Sequence, residues 1–144
     1  MRTNATATIF NKYIDSSTRS ERYQRTQIGA VAWENRKASN LLRSGGAIAI
    51  DQATIFIPFA NGTNYLKPIA WLAAKTGKWT LQEGDIIVKG LVTDEIHEAV
   101  VSPASPAFTV TMLKAKYDDV LVITSVDTMD SGSLVMQHWK VGAR

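Results

Sequence analysis

The stretch KWTLQEGDIIVKG, from Lys78 to Gly90, carries the strand pattern on which the predicted fold rests. Apolar and polar residues alternate over 79–82, and Glu83-Gly84-Asp85 has the composition of a tight turn. A second apolar run follows at 86–88. Two such runs on either side of a glycine turn predict an antiparallel strand pair. We therefore predict a core hairpin whose defining residues are Trp79, Leu81, Gly84, Asp85, Ile87, Lys89 and Gly90.

Short strand patterns recur along the rest of the chain. The predicted strands are Thr6–Asn11, Arg22–Trp33 with a candidate break at Gly29, Ala53–Ile57, Phe108–Met112, Val120–Thr124 and His138–Val141. Strands without alternating helices favour a small β-barrel or sandwich of about seven strands, in a single domain over residues 1–144.

One short helix is predicted to begin at Pro68 and end near Lys75. Proline suits the first helical position, and Gly77 is placed to cap the end. A helix of about two turns is not stable alone, so we expect Trp71 and Leu72 to pack on the sheet.

Three long connections are predicted between these elements: Glu34–Gln52, Phe59–Lys67 and Asp94–Ala107. Long structureless loops are uncommon in compact domains and are often functional. We therefore expect the loops to contact partners.

Composition and motifs argue against catalysis. The 144 residues include no cysteine and only two histidines, His97 and His138, so a zinc site would need both of them with carboxylates. Neither a nucleophile elbow nor a phosphate-binding loop occurs. Turn propensity accounts for Glu83 and Asp85. We expect no enzyme, no metal and no cofactor, and no apolar run is long enough for a membrane helix.

Two features favour a nucleic-acid-binding barrel as an alternative. The segment from Arg19 to Arg43 has six basic and two acidic residues, within a chain of net charge +3. Four tryptophans could stack on bases if they were exposed. Because Trp71 and Trp79 lie where a helix and a strand must be anchored, we expect most of the four in the core or a subunit interface.

The order of motifs resembles a family of small neck proteins of tailed phages, the head-completion or stopper class. The segments that carry the resemblance are ATATIFNKYIDSSTRSERYQRTQIGAVAWENRKAS near the start, ATIFIPF, KWTLQEGDIIVKG, FTVT and the closing HWKVGAR. Together they span most of the chain.

The resemblance implies a structural virion protein that forms a ring of six or twelve copies at the head–tail joint. The ring would connect portal- and adaptor-side proteins to tail-side proteins, after assembly in the host cytoplasm. A loop between early strands would project into the channel and help retain double-stranded DNA. The candidate channel residues are Arg36, Lys37, Asn40, Leu41, Leu42, Arg43, Ser44, Gly45 and Gly46. A tail-completion or other tail ring protein is the alternative within this class.

Overall fold

Six antiparallel strands close into a barrel in the computed structural model, which describes residues 2–41, 47–97 and 107–144. Within these ranges the strands are β1 (Ala5–Ile14), β2 (Glu21–Leu41), β3 (Ala47–Pro58), β4 (Ile86–Lys89), β5 (Val120–Met129) and β6 (His138–Ala143). Their order around the barrel is β1-β2-β3-β6-β5-β4, and β4 pairs with β1 to close it. A 3-10 turn (Phe59–Asn61) and two helices, α1 (Pro68–Ala73) and α2 (Val110–Lys116), lie between the strands. The predicted mainly β, small-barrel fold is confirmed, although the described part has six strands rather than about seven.

The barrel interior is filled by apolar residues from one face of each strand, as the alternation of side chains along a strand requires. Aromatic rings close one region of this core, where Trp139 lies 4.4 Å from Tyr65 and 5.7 Å from Trp79 between ring centroids. All four tryptophans are at most 5% exposed, so the prediction that most of them lie in the core is confirmed. The principal core residues are Ile9, Val31, Trp33, Ile55, Ile57, Trp79, Leu81, Ile87, Ile123, Trp139 and Val141.

A second, smaller apolar cluster lies on the outer face of β1 and β4. Phe10, Ile86 and Val88 point away from the interior and are buried beneath Leu113 of α2 and Val92. Burial on both faces explains why residues 86–88 form a continuous apolar run instead of alternating.

Helix α2 replaces the strand predicted at Phe108–Met112, and that prediction is wrong. The Thr109 hydroxyl accepts a hydrogen bond from the Met112 N–H, which caps the helix N-terminus. Leu113 is the buried anchor of the helix, and Lys114 and Lys116 stand in its last turn, where positive charge is favourable. Residues 110–116 therefore form a helix in spite of the strand-like alternation of FTVTM, because Thr109 caps the helix and Leu113 is buried.

The predicted hairpin at Lys78–Gly90 is half wrong. Only its second run is a regular strand, β4, and this strand pairs with β1 and β5. Trp79 makes a single parallel bridge to Tyr65, so the first run pairs there and does not join the barrel sheet as a strand. The predicted core role still holds for Trp79, Leu81 and Ile87, which are all buried.

Helix α1 begins at Pro68 as predicted and ends at Ala73. Trp71 is fully buried, and its indole N–H donates to the Lys78 carbonyl at 3.0 Å. Leu72 is 50% exposed, so the expectation that it packs on the sheet is wrong. Gly77, with φ of 72°, serves the turn after the helix, and Ala74 is the C-cap.

The predicted loop Glu34–Gln52 is instead strand wherever the structure describes it. Strands β2 and β3 pair from Ala32↔Phe56 to Leu41↔Ala47. The strand β2 is also not interrupted at Gly29, because the irregularity there is a shift in its pairing with β1. Of the other predicted loops, Phe59–Lys67 contains the 3-10 turn, and residues 98–106 of the third lie outside the described ranges.

Strand directions place the connections at two opposite ends of the barrel. Because β1, β3 and β5 run in one direction, their carboxyl ends meet at the same end. The β1–β2 turn, the 3-10 turn and the β5–β6 turn all lie there. The extension of β2 and β3 beyond the barrel lies at the other end.

Candidate functional site

A two-stranded arm extends from the barrel. We define the arm as residues 36–41 of β2 and residues 47–52 of β3. The strand β6 pairs with β3 only from Ala53 onward, and β1 pairs with β2 only as far as Val31. Six residue pairs, from Arg36↔Gln52 to Leu41↔Ala47, are thus described without a third strand beside them. At about 3.4 Å per residue the arm reaches roughly 20 Å past the last three-stranded pair.

The predicted channel residues fall on this arm or beyond the described part of it. Arg36, Lys37, Asn40 and Leu41 occupy four of the six arm positions of β2, opposite Gln52, Asp51, Ile48 and Ala47 respectively. The remaining candidates, Leu42, Arg43, Ser44, Gly45 and Gly46, lie outside the described residues. The described candidates are therefore brought together on one strand.

The base of the arm is held by an asparagine that the sequence reasoning missed. The Asn4 side chain accepts a hydrogen bond from the Trp33 N–H at 2.8 Å and donates one to the Trp33 carbonyl at 3.1 Å. The Trp33 indole N–H donates to Asn35 at 2.8 Å. Asn4 thus continues the pairing of β2 past the start of β1. Only the position of Asn4 just before a predicted strand could have suggested this role.

The opposite end of the barrel exposes apolar side chains. In the β5–β6 turn, Leu134, Val135 and Met136 are between 62% and 81% exposed, and Met129 is exposed beside them. Helix α1 exposes Ile69 and Leu72 at the same end. Across the described residues, seven of the nine exposed large apolar side chains lie here, and we call this the apolar end: Ile14, Ile69, Leu72, Met129, Leu134, Val135 and Met136.

Helix α1 belongs to this end because of what it contacts. The Trp71 ring packs edge-on against Tyr13, 5.9 Å between centroids, close to the carboxyl end of β1. The Gln24 side chain donates to the Lys75 carbonyl at 2.8 Å, close to the start of β2. Three consecutive apolar residues directly after Gly132-Ser133 could have indicated an exposed apolar turn. The sequence of α1 did not indicate that its apolar residues face outward.

Residues 78–90 contribute scaffold and one buried carboxylate. Asp85 is 1% exposed and accepts hydrogen bonds from Asn11 at 2.7 Å, from the Lys12 N–H at 3.0 Å and from Gln82 at 3.2 Å. Burial raises the pKa of Asp85 to about 6, against these hydrogen bonds and the nearby Lys12 charge, which lower it. Asp85 therefore ties β4 to β1, and turn propensity alone does not explain it.

The other members of the predicted hairpin have local roles. Gly84 and Gly90 adopt φ values of 91° and 108°, which favour glycine, and Lys89 is exposed. No second titratable side chain hydrogen-bonds to Asp85 among the described residues, so the geometry gives no catalytic carboxylate pair.

Within the part of the basic segment whose side chains the structure describes, residues 19–35, two arginines lie beside carboxylates. Arg22 pairs with Asp15 at 3.0 Å, and Arg25 pairs with Glu95 at 3.7 Å while donating to the Thr93 carbonyl. These arginines line a groove of about 730 Å³ that also contains Glu21 and Glu95. Carboxylates thus neutralise part of the positive charge on which the nucleic-acid-binding alternative was based.

Neither histidine is placed in a metal site. His97 is exposed and lies in a bridge to Phe108, and the His138 ring packs against Phe56 at 5.4 Å. Over residues 2–41, 47–97 and 107–144, no group of three or more His, Asp or Glu side chains is close enough to bind a metal ion. In the same ranges no helix has the length and apolar content to cross a membrane.

Comparison with known proteins gives one match. No curated protein and no solved structure matches the chain. A family model matches residues 2–144, nearly the whole sequence. The chain therefore belongs to a family of unknown function, DUF6751.

Proposed function

We propose that this protein is a structural component of a tailed-phage virion that forms a ring at the head–tail joint. In this role it connects the portal and adaptor side to the tail, and its arm helps to retain packaged DNA. The observation that carries the proposal is the two-stranded arm of β2 and β3. Its place between two early strands corresponds to the channel loop of the stopper class that the sequence resembles.

The arm has a physical need for contacts beyond this chain. A two-stranded ribbon is at best marginally stable in water without further strands or a packed face. Among the described residues no further strand pairs with either outer edge of the arm, and strand edges of this kind favour pairing with other strands. In a closed ring, arms from neighbouring copies lie close enough to provide those contacts. A monomer would leave about 20 Å of ribbon unsupported.

The two ends of the barrel are different surfaces, and one of them is suited to protein–protein contact within a ring. One end carries the arm, and the opposite end carries the exposed apolar side chains of α1 and the β5–β6 turn. Exposed apolar residues that cluster in this way are typical of protein–protein contact surfaces. We assign no catalytic role to either end.

Placement at the tail terminus instead of the neck is the alternative within this proposal, and it uses the same ring. The oligonucleotide-binding alternative has lost its main support, because Trp33, Trp71, Trp79 and Trp139 are buried and unavailable for base stacking.

A shortened arm tests the proposal. The variant deletes residues 36–52 and joins Asn35 to Ala53 through an Asn-Gly turn, which suits a two-residue hairpin connection. The control shortens the β1–β2 turn in the same way, between the paired residues Ile14 and Glu21. Both proteins should fold and enter particles. Only particles with the shortened arm should lose DNA after packaging, measured as nuclease-sensitive genome. Equal DNA retention in both variants would overturn the role of the arm.

A further inference from the structure

We infer that the apolar end holds two halves of one interface between copies of this chain. The β5–β6 turn of one copy packs against helix α1 of the next copy. The inference rests on the ring assembly proposed above, and it names the surfaces that form the ring. It rests on three observations: exposure, position and charge.

The first observation is that both surfaces expose apolar groups that no element of the described residues covers. Leu134 is 81% exposed and Ile69 is 87% exposed, so each leaves nearly a whole side chain in water. Val135, Met136 and Leu72 add to the same surfaces. Burying such groups contributes about 25 cal/mol per Å² of apolar area removed from water. When the turn of one copy packs against α1 of another, the apolar side chains of both surfaces are removed from water.

The second observation is that the surfaces are different elements at the same end of the barrel. The β5–β6 turn follows the carboxyl end of β5, and α1 is fixed beside the carboxyl end of β1 through Trp71 and Tyr13. A contact between two different patches is heterologous, and heterologous contacts close into rings when the rotation between copies permits.

The third observation is complementary charge around the two apolar surfaces. Residues 129–137, which contain the turn, include Asp130 and no lysine or arginine, whereas Asp127 lies opposite Lys140 in the β5–β6 ladder and adds little net charge. Residues 67–78, which contain α1, include Lys67, Lys75 and Lys78 and no aspartate or glutamate. Opposite charges around an apolar contact steer the two surfaces together and disfavour contact of like with like. A turn meeting a second turn would juxtapose aspartates, so the charge pattern favours α1 of another copy as the occupant.

The absence of cysteine in the chain makes disulfide mapping a direct test. Ile69→Cys and Leu134→Cys are purified separately, mixed and oxidised. The control mixture replaces Ile69→Cys with Leu91→Cys, an exposed apolar position after β4 at the other end of the barrel. We expect roughly tenfold more cross-linked dimer in the first mixture, because a bound interface holds the thiols at millimolar effective concentration. The double variant should yield a ladder of oligomers.

Each alternative outcome has a defined meaning. A yield no higher than the control overturns the interface, whatever the oligomeric state of the wild-type protein. Efficient dimers from Leu134→Cys alone would show a turn-to-turn contact and also overturn it. If the wild type forms oligomers by light scattering while the first mixture fails, the interface is wrong and the ring proposal stands. If the cross-link forms but labelled virions place the protein elsewhere than the neck, the interface stands without the neck assignment.

Discussion

Asn4 holds both backbone hydrogen-bonding groups of Trp33, at 2.8 Å and 3.1 Å, at the point where β2 leaves the barrel. A side-chain amide mimics here the N–H and C=O of an additional β1 residue. The neighbouring backbone bond from the Asn4 N–H to the Val31 carbonyl, at 3.0 Å, fixes the position of the amide. The arm therefore starts from a fixed base, even though the described part of the chain places no third strand beside it.

Replacing this amide should weaken the base of the arm. We predict that Asn4→Ala lowers the free energy of unfolding by about 1 kcal/mol, because two hydrogen bonds at a partly buried site are lost. Chemical denaturation followed by tryptophan fluorescence measures this change. The control is Thr3→Ala at the exposed neighbouring position, which should change stability little. Equal stability of the two variants would show that the Asn4 amide does not hold Trp33.

The identity of residues 110–116 as a helix can be tested with two adjacent substitutions. Leu113 is fully buried in the outer cluster, whereas Met112 is 46% exposed. Leu113→Ala should cost about 3 kcal/mol because it leaves a cavity, and Met112→Ala should cost less than about 0.5 kcal/mol. The alternating strand that the sequence suggests would bury Met112 with Phe108 and Val110. A larger loss of stability for Met112→Ala than for Leu113→Ala would therefore indicate a strand and contradict the helix.

A strand was predicted at each of the six barrel strands, although the predicted runs in β2, β3 and β5 are shorter than the observed strands. The prediction failed for FTVTM because alternation over only five residues is weak evidence for a strand. The Thr109 cap and the burial of Leu113 stabilise a helix there instead. The first run of residues 78–90 misled for a different reason. Trp79 and Leu81 are buried in the core, but their segment is not a regular strand of the sheet. Alternation of apolar and polar residues does not distinguish a strand from an irregular segment that buries every second side chain.

The candidate site was predictable in position but not in form. The sequence placed a partner-contacting element at Glu34–Gln52, and the described part of that range is an arm of two strands. The weak alternation of apolar and polar residues in this range did not indicate strands. The apolar end could not be predicted from the sequence, because tertiary packing decides whether an apolar residue such as Leu72 faces outward.

Gly62 should not tolerate a side chain. A Cβ at this position would overlap the Trp139 indole ring, which belongs to the aromatic part of the core. We predict that Gly62→Ala costs on the order of 2 kcal/mol, since the large ring must shift within a packed core. Gly29→Ala is the matched control, because the space around Gly29 is open within 4 Å. Thermal unfolding of both variants measures the difference, and equal melting temperatures would contradict the packing described for Trp139.

The buried carboxylate of Asp85 should give stability a distinct pH dependence. The pKa of Asp85 is raised to about 6 from an ordinary 3.8, so the native state binds more protons than the unfolded state between these values. The contribution of this group is fully present below about pH 4 and is lost as pH rises through about 6. From pH 4.5 to pH 7 the wild type should lose about 2 kcal/mol relative to Asp85→Asn.

Urea unfolding at several pH values measures this difference. The control is Glu83→Gln, which removes an exposed carboxylate two residues away and should keep the pH dependence of the wild type. Parallel pH profiles for the wild type and Asp85→Asn would mean that the carboxyl does not change its protonation in this range.

The position of the protein in assembled particles tests the central claim most directly. Under the proposed role the protein is part of a tailed-phage virion, so purified virions can be labelled with antibody against it and viewed by negative-stain electron microscopy. A ring component of the neck should be labelled where the head meets the tail. Labelling only at the tail tip, or particles without label, would contradict the account.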